Sequence, residues 1–177
     1  MTRDEAVTRA GTIARANDVF RSDLDAIPAM TLRGGSAVSG YDAPPPYDPD
    51  IDAPTDSYLE TYAFDGVGFL DASSWRHYLP RLIDYALRNI GSRTAGSMAI
   101  EGLLNSLRPP DRTPPRLGSL TEEQEGVIVA VLDQLAFSRD SAYQPFAMQV
   151  MEEWWIPHAL YRPRGPTDDA PYRPESP

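Results

Sequence analysis

The chain has 177 residues, of which 41% are hydrophobic and 24% charged, a composition that favours one globular domain with its own core. Cysteine is absent, which excludes disulfides, thiolate nucleophiles and cysteine-ligated zinc. The formal net charge is −10, and the 18 prolines are about twice the usual share, so parts of the chain must be irregular.

Acidic residues are concentrated between Gly34 and Trp75, where there is no basic residue. The eight are Asp42, Asp48, Asp50, Asp52, Asp56, Glu60, Asp65 and Asp71. Nucleic-acid affinity comes largely from Lys and Arg on phosphates, so we expect no binding to nucleic acid or to an anionic membrane. A basic protein partner fits this charge. No apolar stretch is long enough to cross a membrane, and we expect a cytoplasmic protein.

The first half of the chain predicts two helices separated by an irregular segment. Apolar spacing of three and four predicts an amphipathic helix over residues 4–26, limited by Pro28. Gly34 and Gly35 suggest turns, and the proline-rich acidic segment at about 34–55 predicts a loop. A short helix is expected over 55–63, with Thr55 as its N-cap.

A longer apolar helix is predicted to follow Asp71, whose carboxylate is a good N-cap. Pro80 lies inside this pattern and is expected to kink or split the helix, and Gly91 is expected to end it in a left-handed conformation. Residues 67–70 are the only strand candidate and more simply form an extended segment before the helix.

Three further helices complete the prediction. They cover about 95–107, a segment beginning at Thr121 with a capping box to Gln124, and a segment from Asp140 or Ser141 to Pro157. Residues 162–177 predict a disordered tail. The predicted fold is therefore all-α, a single domain over 1–161 with five or six helices around one core.

Several phrases of the sequence share an order and spacing with a known family. They are FLDASSWRHYLP at 69–80, LLNSL at 103–107, SLTEEQ at 119–124 and the pair Trp154-Trp155. Together they resemble an uncharacterised family of small helical bacterial proteins with an F-L-x-x-x-x-[FW]-R-x-Y-L-P phrase. The resemblance implies a small α-helical protein and no particular activity.

The sequence predicts no catalytic residue, metal ligand or cofactor. Its two histidines, His77 and His158, are 81 positions apart and lack ligand spacing. The run from Asp48 to Asp56 lacks the glycine and the glutamate of a calcium loop, and a solvated acidic loop is the simpler interpretation. Arg76 is interpreted as a residue that ties helices together, with anion binding as the alternative.

The candidate binding residues are therefore few. They are the loop carboxylates Asp48, Asp50, Asp52 and Asp56, which we expect to be exposed, together with Arg76 and Trp155. Since adjacent tryptophans cannot both lie at the centre of one helical stripe, Trp155 is a candidate exposed interface anchor.

The sequence favours a non-enzymatic cytosolic protein that binds another, basic protein, as an acidic immunity or adaptor protein does. Two alternatives stay open. One is an enzyme with a carboxylate and arginine site between helices, and the other is a structural subunit of a larger assembly. The oligomeric state is not predicted.

Overall fold

The computed structural model describes residues 3–91 and 96–163 of the chain. Within them the fold contains eight α-helices and no strand, which confirms the all-α prediction with more helices than expected. The helices are α1 (Arg3–Val19), α2 (Arg21–Leu24), α3 (Leu32–Ser39), α4 (Asp56–Gly66), α5 (Ala72–Arg88), α6 (Met98–Ser106), α7 (Glu122–Phe137) and α8 (Gln144–Val150). Most of the predicted disordered tail, residues 164–177, lies outside the described residues.

Helix starts follow the capping side chains of the sequence. The side chains of Thr55 and Asp71 accept hydrogen bonds from free amides in the first turns of α4 and α5. Thr121 and Gln124 form the expected capping box of α7. Burial raises the pKa of Asp71, but the hydrogen bonds from Ser73 and Ser74 outweigh this effect and lower it to about 2.

Several predicted boundaries are wrong. The expected helix over 4–26 is interrupted at Phe20, giving α1 and α2, and residues 67–69 form a 3-10 helix instead of an extended segment. Pro80 does not split α5, because the helix is buried on both sides of the proline and this packing offsets the missing hydrogen bond; a kink at the proline stays a prediction. Gly91 has no left-handed conformation, and Asn89 caps α5 instead.

Helix α5 is the centre of the core and contacts α1, α2, α6 and α7. Its largest buried side chain, Trp75, is fully buried and donates from Nε1 to Ser106 Oγ at 3.0 Å. The burial follows from the apolar stripe that continues along α5 through Tyr78, Leu82 and Leu87.

Glycine packing joins α3, α4 and α6 at very short distances. A Cβ at Gly35 would collide with the Gly66 carbonyl, and a Cβ at Gly102 would lie 2.9 Å from the Ala63 carbonyl oxygen. The prediction of a turn at Gly34 and Gly35 is therefore wrong, since both lie inside α3, and Gly35 lets its backbone approach α4.

The last helical segment begins as α8 and continues as a π-helical turn over Met151–Trp155. The chain then reverses, and Leu160 N and Tyr161 N donate to Glu152 O and Glu153 O at 3.0 and 3.1 Å. In the described part of the chain, no helix is long and apolar enough to cross a membrane.

Candidate functional site

The acidic loop, residues 40–55, connects α3 to α4 and is held in place by Arg33 of α3. The Arg33 guanidinium donates from Nε to Asp52 Oδ1 at 2.9 Å and from Nη2 to Asp52 Oδ2 at 2.8 Å. Nη2 also donates to Pro46 O at 3.0 Å. One arginine therefore fixes two separated points of the loop.

Asp52 is the buried anchor of the acidic loop, with only 3% of the residue exposed. Its carboxylate also accepts from the Tyr58 hydroxyl at 3.1 Å and from Asp48 N at 2.9 Å. Burial raises the pKa of Asp52, but the hydrogen bonds from Arg33, Asp48 and Tyr58 outweigh it and hold the pKa below its ordinary value.

The expectation that all four predicted carboxylates are exposed is therefore wrong for Asp52, which is buried, and for Asp48, which is half-buried. Asp56 is exposed but forms a bidentate ion pair with Arg88 of α5, at 3.0 and 2.8 Å. Asp48 is half-buried and accepts from Asp50 N at 2.9 Å. Asp50 is exposed, and among the described residues it forms no ion pair.

The outer face of the acidic loop combines carboxylates with large apolar side chains. Tyr41 is 99% exposed, and Tyr47 and Ile51 are 42% and 53% exposed. Asp42 and Asp50 lie on the same loop, are exposed, and are unpaired within the described part of the chain. Tyrosines among unpaired carboxylates form a surface suited to contact with a protein.

Arg76 lies away from the acidic loop, on α5. It donates from Nε to Asp23 Oδ1 at 2.9 Å and from Nη1 to Ser119 Oγ at 2.7 Å. His77 Nδ1 lies 3.0 Å from the carbonyl oxygen of the same Asp23. These contacts join α2 and the segment before α7 to α5, which favours the interpretation of Arg76 as a tie between helices.

Trp155 is not an exposed anchor. It is 4% exposed, and its Nε1 donates to Leu107 O at 2.9 Å. Trp154 is also buried, and the Arg162 guanidinium lies 6.0 Å from its ring centre. The returning chain lies against Trp154 through Arg162, and Trp155 is buried with its indole N–H on Leu107 O. Helical spacing alone predicts neither contact.

A second concave site, the C-terminal cleft, was not predicted. It has a volume of about 600 Å³ and lies between residues 108–111, the π-helical turn and the returning chain. Arg108 forms a bidentate pair with Glu153 across it, from Nε to Oε2 at 2.7 Å and from Nη2 to Oε1 at 2.6 Å. These hydrogen bonds lower the pKa of the Glu153 carboxyl.

Asp111 fixes the loop wall of the C-terminal cleft. Oδ1 accepts from the amides of Arg112, Arg116 and Leu117, and Oδ2 accepts from that of Gly118, at 2.7 to 2.8 Å. Burial raises the pKa of Asp111, but these four amides outweigh it and lower the pKa. A local feature of the sequence could have predicted this turn: Asp111 precedes an Arg- and Pro-rich run that ends at Gly118.

Arg116 is buried, and it has no carboxylate partner within the described part of the chain. It donates to Val67 O and Ser106 O, both at 3.1 Å, and lies 5.1 Å from the centre of the Trp75 ring. Burial lowers the pKa of its guanidinium to about 10. Among residues 3–91 and 96–163, no three histidine or carboxylate side chains cluster so that they could hold a metal ion.

The chain belongs to a family of unknown function, DUF6714, whose model matches residues 8–159. That range includes every helix after the first turns of α1, the acidic loop and most of the C-terminal cleft. No curated protein and no solved structure matches the chain. Its function must therefore be argued from the geometry of the two sites.

Proposed function

We propose that this chain is a non-enzymatic cytoplasmic protein that binds a basic surface of another protein through its acidic loop, as an immunity or adaptor protein does. The observation that carries the proposal is the fixed loop with exposed Tyr41, Tyr47 and Ile51 beside the unpaired Asp42 and Asp50. Its cytoplasmic location fits the absence of cysteine.

The loop's anchorage supports binding because it reduces the ordering cost of association. Arg33 holds both Pro46 and Asp52, and Asp48 N is held by the same Asp52 carboxylate. A surface that is already ordered loses less conformational entropy when a partner binds. The exposed tyrosines would supply contact area, and the unpaired carboxylates would accelerate encounter with a basic partner.

Proton-transfer chemistry is less favoured than binding. A general acid or base works best with a pKa near the operating pH. Here the pKa values of Asp52, Asp111 and Glu153 are lowered, and burial raises the pKa of Tyr58. These shifts move the groups away from neutral pH and therefore support the binding proposal over an arginine and carboxylate enzyme site.

The experiment begins with capture of partners from a lysate of the native host on the immobilised full chain, followed by mass spectrometry. The purified partner is then mixed with the wild type, with Asp42→Asn/Asp50→Asn, and with a matched control, Asp25→Asn/Asp133→Asn, in stopped-flow measurements at two salt concentrations. The control removes the same number of charges from exposed positions outside the loop.

We expect the loop variant to associate more slowly and with a flatter salt dependence than the wild type and the control, because peripheral charges act mainly on the association rate. Tyr41→Ala should weaken binding about tenfold through faster dissociation. Capture of no basic protein, or equal association of the loop and control variants, contradicts the proposal.

A further inference from the structure

The C-terminal cleft shares no lining residue with the acidic loop. Its walls are mainly apolar: Pro109 and Pro110 on one side, Tyr161 and Pro163 on the other, with Trp154 also lining it. Its volume of about 600 Å³ is within the range of about 300–1,000 Å³ that is common for ligand pockets.

The polar groups in this cleft leave donors without acceptors. The Glu153 carboxylate is occupied by Arg108 and Gln149, and the Asp111 carboxylate by four backbone amides. Arg108 Nη1 and the Tyr161 hydroxyl form no hydrogen bond with any described residue. The cleft therefore suits a ligand that presents acceptors and apolar rings.

Proline-rich peptide has this chemistry. Proline has no N–H to donate, and the carbonyls of a polyproline II helix make no internal hydrogen bonds. Grooves lined by aromatic side chains recognise such segments by packing the rings and donating to the carbonyls. We propose that the C-terminal cleft binds a proline-rich segment of another protein in the polyproline II conformation.

The walls of the cleft are held in position by contacts that do not involve a ligand. Asp111 fixes the loop wall through four amides, and Tyr161 N is bonded to Glu153 O at 3.1 Å. Arg162 pairs with Glu125 of α7 at 2.7 Å. The third wall is a π-helical turn, which is rare and frequently occurs at functional sites. A fixed cleft and a stiff ligand both reduce the entropy lost on binding.

The test uses a synthetic proline decamer titrated into the full-length chain, followed by calorimetry and by tryptophan fluorescence. A Gly-Ser decamer is the control peptide. We expect saturable binding of the proline decamer at one site and none of the Gly-Ser peptide. Tyr161→Ala should weaken binding about tenfold, and Tyr161→Phe, which removes only the hydroxyl, about fivefold.

The matched control variant is Phe137→Ala, which removes an exposed aromatic side chain at the end of α7, outside both the acidic loop and the cleft. It should bind the decamer like the wild type, and circular dichroism should show that both alanine variants are folded. Because Tyr161 lies outside the acidic loop, the outcome is independent of whether a basic partner is found.

Four results would overturn the inference. They are no saturable binding of the proline decamer, equal binding of both peptides, unchanged affinity in Tyr161→Ala, or loss of binding in Phe137→Ala in its place. Two other occupants would be recognised in the same experiments. If the wild type is an oligomer without peptide and Tyr161→Ala dissociates it, the cleft is occupied by a second copy of the chain. If the proline decamer binds only after residues 164–177 are removed, the cleft is occupied by the chain's own C-terminal sequence.

Discussion

Substitution of Asp52 by asparagine tests whether the acidic loop is anchored through a buried ion pair. Each carboxylate oxygen accepts two hydrogen bonds: Oδ1 from Arg33 and Tyr58, and Oδ2 from Arg33 and Asp48 N. An asparagine must place its NH₂ group at one of these positions, so a donor will face donors whichever way the amide is turned.

The expected loss of stability follows from the burial of the Asp52 side chain. Removing one partner of a buried ion pair costs about 3–5 kcal/mol, because the remaining charge is left without compensation. The Asp52 side chain is 0% exposed, while that of Arg33 is 17% exposed and retains its bond to Pro46 O. We therefore expect Asp52→Asn to reduce the free energy of unfolding by about 3 kcal/mol, the lower end of this range.

Urea unfolding followed by circular dichroism measures the effect, with Asp50→Asn as the matched control. Asp50 is exposed and unpaired within the described residues, so its substitution should change the free energy of unfolding by less than about 0.5 kcal/mol. The pH dependence gives an independent check. Because the folded-state pKa of Asp52 is lowered, its stabilisation is present above the unfolded-state pKa of about 3.9 and is lost as the pH falls through the folded-state value.

The difference in the free energy of unfolding between the wild type and Asp52→Asn should therefore become smaller below about pH 4. If Asp52→Asn and Asp50→Asn are equally stable at neutral pH, the loop is not anchored by this pair. The argument for a preformed binding surface would then fail with it.

Three further predictions test the packing. Gly35→Ala should lower the free energy of unfolding by about 3 kcal/mol, because the new Cβ would collide with the Gly66 carbonyl. Its control is Gly11→Ala on α1, whose Cβ meets open space and which should raise the free energy of unfolding by about 0.5–1 kcal/mol. Urea unfolding compares the two variants. Trp75→Ala should destabilise by about 3–5 kcal/mol, and a change below about 1 kcal/mol in the same assay would contradict its complete burial. Asp111→Ala should lower the free energy of unfolding by about 2 kcal/mol, because four backbone amides lose their acceptor. Asp111→Asn should lower it by less, because the asparagine keeps one acceptor oxygen. If thermal unfolding ranks the two variants in the opposite order, the carboxylate does not hold the loop.

Local signals in the sequence predicted most helix starts. Thr55, Asp71 and Thr121 cap α4, α5 and α7 as expected, because an N-cap acts on amides two or three residues away. Helix α3 was missed for the opposite reason. Its Gly34-Gly35 pair favours turns locally, and only the close approach of α4 makes a glycine-containing helix stable there.

The contacts that define the two sites were not predictable in the same way. Arg33 and Asp52 are 19 residues apart, and Arg108 and Glu153 are 45 apart, so no periodicity or motif connects them. Trp155 is buried and donates to Leu107 O, 48 residues away along the chain, whereas the sequence pattern around it is that of an ordinary helix. Sequence patterns report neighbours along the chain, and these sites are formed by neighbours in space.

The distribution of charge in the folded chain restricts which acidic residues can attract a partner. Asp52 and Asp56 are neutralised by Arg33 and Arg88, Asp71 caps α5, and Glu60 accepts from Ser97 Oγ and Met98 N at the start of α6. Half of the eight carboxylates between Gly34 and Trp75 are therefore used inside the fold. The net charge of −10 alone overstates the field available for binding. Three of the other four, Asp42, Asp48 and Asp50, lie on the acidic loop with the exposed tyrosines, and this coincidence supports the proposal that the loop is a binding surface.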